Sequence, residues 1–291
     1  MPALAQRVLH YPIKALLIGN SGAGKTGTLA SLAEEYELGI VDADNGLDAL
    51  QYHTRQNLLS RIHYVTYRNK MKPARPKPVV KGEPDAINRI FDAIDKWPTD
   101  PKNPDPGWEG TRPDKWGLSR ILVLDSLTWI SRAAFQWADK YSNVQRDNRA
   151  KYGTAQDLIM DLLATVTDEA FNTNVLVISH IDYPSAERDR QGNLLNAEEM
   201  KKGFVKSIGK AIGPTIPTMF NTLIASETST KRSASGATKG QMVTKREFIT
   251  IPTASLDLKN PRPGEMRRTY PIESGMRDIF RVLRSEPPPA D

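Results

Sequence analysis

The sequence predicts an α/β fold, a mainly parallel sheet with helices on both faces. Three observations predict it. Short apolar runs recur along the chain, patterns with one apolar helical face alternate with them, and the first run leads into a glycine-rich loop that opens a helix.

The elements follow in order. Ala15-Leu16-Leu17-Ile18 suits a buried strand, and Gly19-Asn20-Ser21-Gly22-Ala23-Gly24-Lys25-Thr26 follows it as G-x-x-x-x-G-K-[ST]. Glycines let such a loop wrap back so that its amides face one anion. Leu29, Leu32, Ala33 and Tyr36 then fall on one helical face. Strand, glycine loop and helix N-terminus together make a P-loop. Residues 38–42, 121–124 and 174–179 read as buried parallel strands, and 221–226 and 246–251 as weaker ones. Pro84 opens a helical pattern through Ile87, Ile90, Phe91, Ile94 and Trp97. Residues 127–141 and 154–171 form two more, the last with Thr154-x-x-Asp157 as its expected cap. The expected organisation is one domain over 1–285, with a Pro-rich insertion near 68–117, a basic loop near 182–210 and a disordered tail at 286–291. Within the insertion, the Pro/Gly/Asp-rich stretch 98–117 is expected to leave the core.

Composition excludes several chemistries. The 291 residues contain no cysteine, which removes disulfides, thiolate metal sites and cysteine nucleophiles, and the four histidines form no ligand cluster. No apolar run approaches the roughly 20 residues of a membrane span. The N-terminal apolar stretch is too short for a secretory signal, so a cytoplasmic location is expected. The net charge of +6 permits a polyanionic partner. Three stretches concentrate the positive charge: 66–82, 201–210 and 230–246. All three read as surface loops, either simply solvated or facing a phosphate backbone.

The P-loop assigns Gly19 to Gly27 (Gly19, Asn20, Ser21, Gly22, Ala23, Gly24, Lys25, Thr26 and Gly27) to phosphate binding, with Lys25 on the β/γ-phosphates and Thr26 on Mg²⁺. Asp125 ends the apolar run 121–124, where a second metal-coordinating carboxylate is needed. Ser126 follows it, so no glutamate stands beside it to activate water. Asp44, in VDADNG, is the candidate for that task, although the same Asp/Asn/Gly cluster also suits a turn. Ser179-His180 ends the run 174–179 and could sense the γ-phosphate, or be a satisfied structural pair. Lys259, in LDLKNPR, could act on a nucleotide held by a neighbouring subunit, or lie in an ordinary surface turn. Of the guanine-reading N-K-x-D motif only Asp182 is present, which excludes a GTPase.

The ordered set GNSGAGKT, DAD-N-G, ILVLDS, YGTAQDL, VISH and KNPR resembles the phage-encoded RecA-like P-loop ATPases over residues 13–285. It is most similar to the small core-only proteins of single-strand annealing and recombination, relatives of the RadA/RecA cores. The resemblance implies a RecA-like fold, ATP with Mg²⁺, a homo-oligomeric ring or filament, and single-stranded DNA as partner; whether a single-strand-binding protein is a further partner the sequence leaves open. It also implies that Asp44 stands where relatives carry a catalytic glutamate, His180 at the polar sensor and Lys259 at the lysine acting across the interface. Two departures are visible: the shorter Asp44 implies slow hydrolysis, and Pro261 interrupts the Lys-Asn-Arg run.

The expected function is therefore a Mg²⁺-dependent ATPase stimulated by single-stranded DNA. Lys201, Lys202, Lys206 and Lys210 are assigned to the DNA backbone, with Phe204 beside them to stack on a base. A replicative motor or loader, or a small-molecule kinase, would use the same core.

Overall fold

The computed structural model describes residues 11–100, 105–141, 147–183, 202–232 and 242–285. Its main sheet is built from β1 (Lys14–Gly19), β2 (Glu37–Asp42), β3 (Ile62–Thr66), β6 (Gly117–Asp125), β7 (Thr173–Asp182), β8 (Phe204–Val205), β9 (Thr222–Arg232), β10 (Met242–Ile249) and β11 (Thr269–Pro271). The order is β11-β10-β9-β1-β7-β6-β2-β3, with β8 paired to β7. From β9 to β3 every pairing is parallel, while β10, β11 and β8 run antiparallel. A separate two-stranded hairpin pairs β4 (Met71–Lys72) with β5 (Val79–Val80).

The central strands are apolar on both faces because both faces are covered. Leu16, Ile18, Leu122, Leu124, Val175 and Val177 face one core, with α3 (Ala86–Asp95), α4 (Leu127–Tyr141) and α5 (Asn148–Thr167) over it. Their sequence neighbours Ala15, Leu17, Ile121, Val123, Leu176 and Ile178 face the other. That face is covered by α1 (Leu29–Leu32), α2 (Leu47–His53) and α6 (Gly275–Arg284), and Phe280 of α6 meets Tyr36 edge-on at 5.8 Å. The fold is a mostly parallel α/β sheet with helices on both faces. The P-loop strand β1 and the Asp125 strand β6 are separated by β7.

Four expectations are corrected. The stretch 98–117 is not wholly outside the core: its Trp108 and Trp116 are buried with Trp97, their rings 4.7 to 5.8 Å apart. They pack where β2 carries Gly39, because any Cβ there would lie 2.6 Å from Trp116. Helix α5 begins earlier than its apolar pattern does. Asp147 caps it by accepting from the Arg149 amide at 2.8 Å, while Thr154 lies inside the helix and donates to the Ala150 carbonyl. The basic run 230–246 is partly sheet, since β9 extends to Arg232 and β10 starts at Met242. The run 201–210 contains β8, whose Val205 is buried. Residues 184–201, 233–241 and 286–291, and with them Lys201 and the expected tail, lie outside the described residues.

Candidate functional site

The site lies at the carboxyl ends of the parallel strands, where β1, β7, β6 and β2 each end in a polar residue or glycine. Gly19 is paired on one side with His180 of β7 and on the other with Ser226 of β9. The approach there is so close that a Cβ on Gly19 would sit 2.7 Å from the Ser226 carbonyl oxygen. Gly22 and Gly24 take φ of +75° and +84°, which only glycine adopts freely, and these turn the loop back on itself. Outside contacts hold it: Ser226 Oγ donates to the Ala23 carbonyl at 2.5 Å and Arg246 Nε to the Gly22 carbonyl at 3.1 Å. The Lys25 ammonium folds into the loop, donating to the carbonyls of Gly19 (2.9 Å) and Asn20 (2.8 Å). Burial lowers its pKa to about 8, opposed by the carboxylates of Asp125 and Asp44.

Thr26 Oγ1 donates to Asp125 Oδ2 at 2.7 Å. Burial pushes Asp125 up to about 7; the Thr26 hydrogen bond pulls the other way, and the charges of Asp44 and Asp42 push further up. The two aspartates of VDAD do different work. Asp42 is buried and committed: its carboxylate accepts from the amides of Asp44 (3.1 Å) and Asn45 (2.7 Å) and from Thr66 Oγ1 (3.1 Å). It therefore builds the turn. Asp44 is half-buried, and its charge is felt at Lys25, Asp125 and His180 alike. The Ala43 amide donates to the Asp125 carbonyl at 2.6 Å, which fixes the Asp44 turn against the tip of β6.

His180 faces the same cluster. Burial and the nearby Lys25 ammonium lower its pKa, so it is neutral at pH 7. Its backbone is tied to the segment after β8, with the Lys206 amide donating to the His180 carbonyl at 2.8 Å. The Lys206 carbonyl accepts from Ser179 Oγ and Thr128 Oγ1, both at 3.1 Å, and Thr128 Oγ1 also accepts from the His180 amide. Lys206 and Lys210 are exposed, and Lys202 pairs with Asp257 at 3.6 Å.

The structure does not bring Lys259 to its own chain's loop. Its carbonyl accepts from the Leu223 amide near the start of β9, and its ammonium reaches toward the Thr218 carbonyl at 3.4 Å. Arg262 is spent within the chain on Glu265 and Ser285. Sequence reasoning missed Ser226, Arg246 and Thr128. Ser226 carried the same signal as Asp125 and Ser179, a polar residue ending an apolar run, whereas Arg246 was absorbed into a basic stretch.

A profile of the family described as AAA domain matches residues 11–261. The chain belongs to the AAA domain family. No curated protein matches it. Among solved structures, the AAA domain is similar to the ATPase EscN, in complex with its central stalk EscO, of the enteropathogenic E. coli type III secretion system. That match has 11% identity and a TM-score of 0.40, and it covers 75% of this chain and 42% of that one. A prototypical ATPase from the type III secretion system of pathogenic bacteria matches at 12% identity and TM-score 0.36, covering 73% and 51%. The chain thus spans about half the length of these structures or less, and at such scores the likeness carries no argument.

Membership of this family makes the chain a P-loop ATPase domain and implies nucleotide binding. Its residues fit Mg²⁺ as well: Thr26 and Asp125 present hard oxygen donors, and the acidic groups that raise Asp125 are those a divalent cation would offset. Among the described residues no three His, Asp or Glu side chains could hold a metal unaided. Mg²⁺ would complete its shell with phosphate and water, as it commonly does.

Proposed function

We propose that this AAA domain couples a slow Mg²⁺-dependent ATPase cycle to single-stranded DNA, in annealing or recombination of the kind its phage-encoded look-alikes perform. The observation that carries this reading is the bonding of Lys206 to both Ser179 and His180. In this cycle the P-loop amides and Lys25 bind the phosphates, and Thr26 and Asp125 bind the metal. Mg²⁺, when bound, neutralises the phosphates and their developing charge. Asp44 orients the attacking water and accepts its proton. Neutral His180 reads the γ-phosphate position and shifts with it. Because the Lys206 backbone hangs on His180, Ser179 and Thr128, that shift moves Lys202, Lys206 and Lys210 relative to a DNA backbone. The protein acts in the cytoplasm as a homo-oligomer, where Lys259 reaches the nucleotide of a neighbouring subunit, and works alongside a single-strand-binding protein.

The test is the affinity for a labelled oligothymidylate with a non-hydrolysable ATP analogue and with ADP. Tighter binding in the ATP-like state is expected. Equal affinities in both states would contradict the coupling.

A further inference from the structure

The hairpin β4–β5 projects Arg68, Lys70, Lys72, Arg75, Lys77 and Lys81, with no acidic residue from 66 to 82. All six are exposed, and among the described residues none forms an ion pair. The first acid after them, Glu83, is committed to Lys140 at 2.6 Å and to the Tyr141 hydroxyl. Unpaired cations alone describe any solvated loop. Here one of them, Arg68, meets an aromatic residue together with Arg132 of α4. The guanidinium of Arg68 lies 4.9 Å from the centre of the half-buried Trp129 ring, and that of Arg132 lies 5.3 Å from it.

Between these groups is a cleft of about 170 Å³, also lined by Asn69, Met71 and Gln136. A cavity of about 150 Å³ holds one benzene ring, so the cleft has room for one aromatic ring. Its polar rim is not saturated. Gln136 Oε1 accepts from Asn69 Nδ2 at 2.8 Å, but Gln136 Nε2 faces only the weak acceptor Met71 Sδ at 3.5 Å. A base carbonyl would be a better partner for that amide.

We propose that the 66–82 hairpin and Trp129 form a single-stranded nucleic-acid contact, with one base stacked in the Arg68–Trp129–Arg132 cleft and the hairpin cations along its phosphates. This rests on the reading of single-stranded DNA as partner and adds a surface to it. Duplex is a poor occupant, since its bases are stacked on each other. The contact is continuous with the 202–210 segment, because Thr128, next to Trp129, donates to the Lys206 carbonyl. It also touches the chemistry: Arg68 Nη1 donates to the Asp44 carbonyl at 3.2 Å, and the Tyr67 amide to the Asp42 carbonyl at 2.9 Å. A strand seated in the cleft therefore pulls on the backbone of the water-orienting residue.

The test measures anisotropy of labelled oligothymidylate across a salt series, using the full chain. Changing Lys70→Gln, Lys72→Gln and Lys77→Gln together removes three exposed charges and should make the slope of log affinity against log salt shallower by about two. Trp129→Ala should weaken binding by about tenfold, and Trp129→Phe should restore most of it. Should Trp129→Ala fail to fold, the triple lysine variant decides. If the triple variant keeps wild-type affinity and slope while Lys206→Gln with Lys210→Gln weakens binding, this surface is wrong and the partner reading stands. If the wild-type protein does not bind the oligothymidylate, both are wrong.

Discussion

The Thr26 hydroxyl and the Asp125 carboxylate, 99 residues apart in sequence, meet at 2.7 Å across the tip of the intervening strand β7. That bond joins the P-loop to the carboxylate proposed as the second metal position and holds it, buried, among other acids. Asp125→Asn should keep this geometry and lose the charge, lowering turnover by about 10²–10³-fold. Lys25→Ala should lower it at least as much, because its ammonium is the cation already aimed into the loop. Steady-state phosphate release at saturating Mg²⁺ checks both.

Asp42 and Asp44 should separate by what their loss damages. Asp44→Asn is expected to lower kcat by about 10²–10⁴-fold with nucleotide affinity retained. Asp42→Asn is expected to act on stability, by about 1–3 kcal/mol, because its carboxylate serves two turn amides and Thr66. Nucleotide titration and urea unfolding of each variant distinguish the two. A stable Asp42→Asn protein with abolished turnover would reverse the assignment.

Gly39 should resist even the smallest side chain. An added Cβ would meet Trp116 at 2.6 Å and Trp108 at 2.8 Å, in a cluster with no open side. Gly39→Ala is therefore expected to cost about 1–3 kcal/mol through overpacking. A urea midpoint equal to wild type would show that the tryptophans are loosely seated.

Lys14 makes a pH-dependent contribution to folding. Its buried ammonium donates to the carbonyls of Val166, Phe171 and Thr173, the first of these in the last turn of α5. Lys14→Met should cost about 2–4 kcal/mol by stranding these acceptors. Burial lowers the Lys14 pKa to about 7, opposed by Asp168, from the ordinary 10.5. Below about pH 7 both folded and unfolded chains hold the proton. Between about 7 and 10.5 the unfolded chain binds more protons, so the stability contributed by Lys14 rises with pH. The gap in urea midpoint between wild type and Lys14→Met should widen from pH 7 to pH 9.5.

The parts of the fold that could be read from sequence share one property: their signal is local. Strands β1, β6 and β7 are apolar runs whose ends lead into glycine or polar residues, which places Thr26, Asp125 and Ser179-His180 at one sheet end from the sequence alone. What could not be read depends on distant partners. The 98–117 stretch has the composition of a loop, and only Gly39, far upstream, makes room for its tryptophans. Helix α6 is amphipathic, yet its cover for Tyr36 spans most of the chain. Asp42 and Asp44 look equivalent in sequence, and only the Thr66 and Asn45 bonds reveal which one is committed. The 66–82 hairpin pairs too few residues to show a strand period, and the Trp129 it faces lies in a different element.

The most direct test of the whole account is phosphate release from ATP with Mg²⁺, alone, with oligothymidylate, and with duplex DNA. The account predicts slow release alone, stimulation by the single strand, and little response to duplex. Turnover indifferent to both DNAs would contradict it.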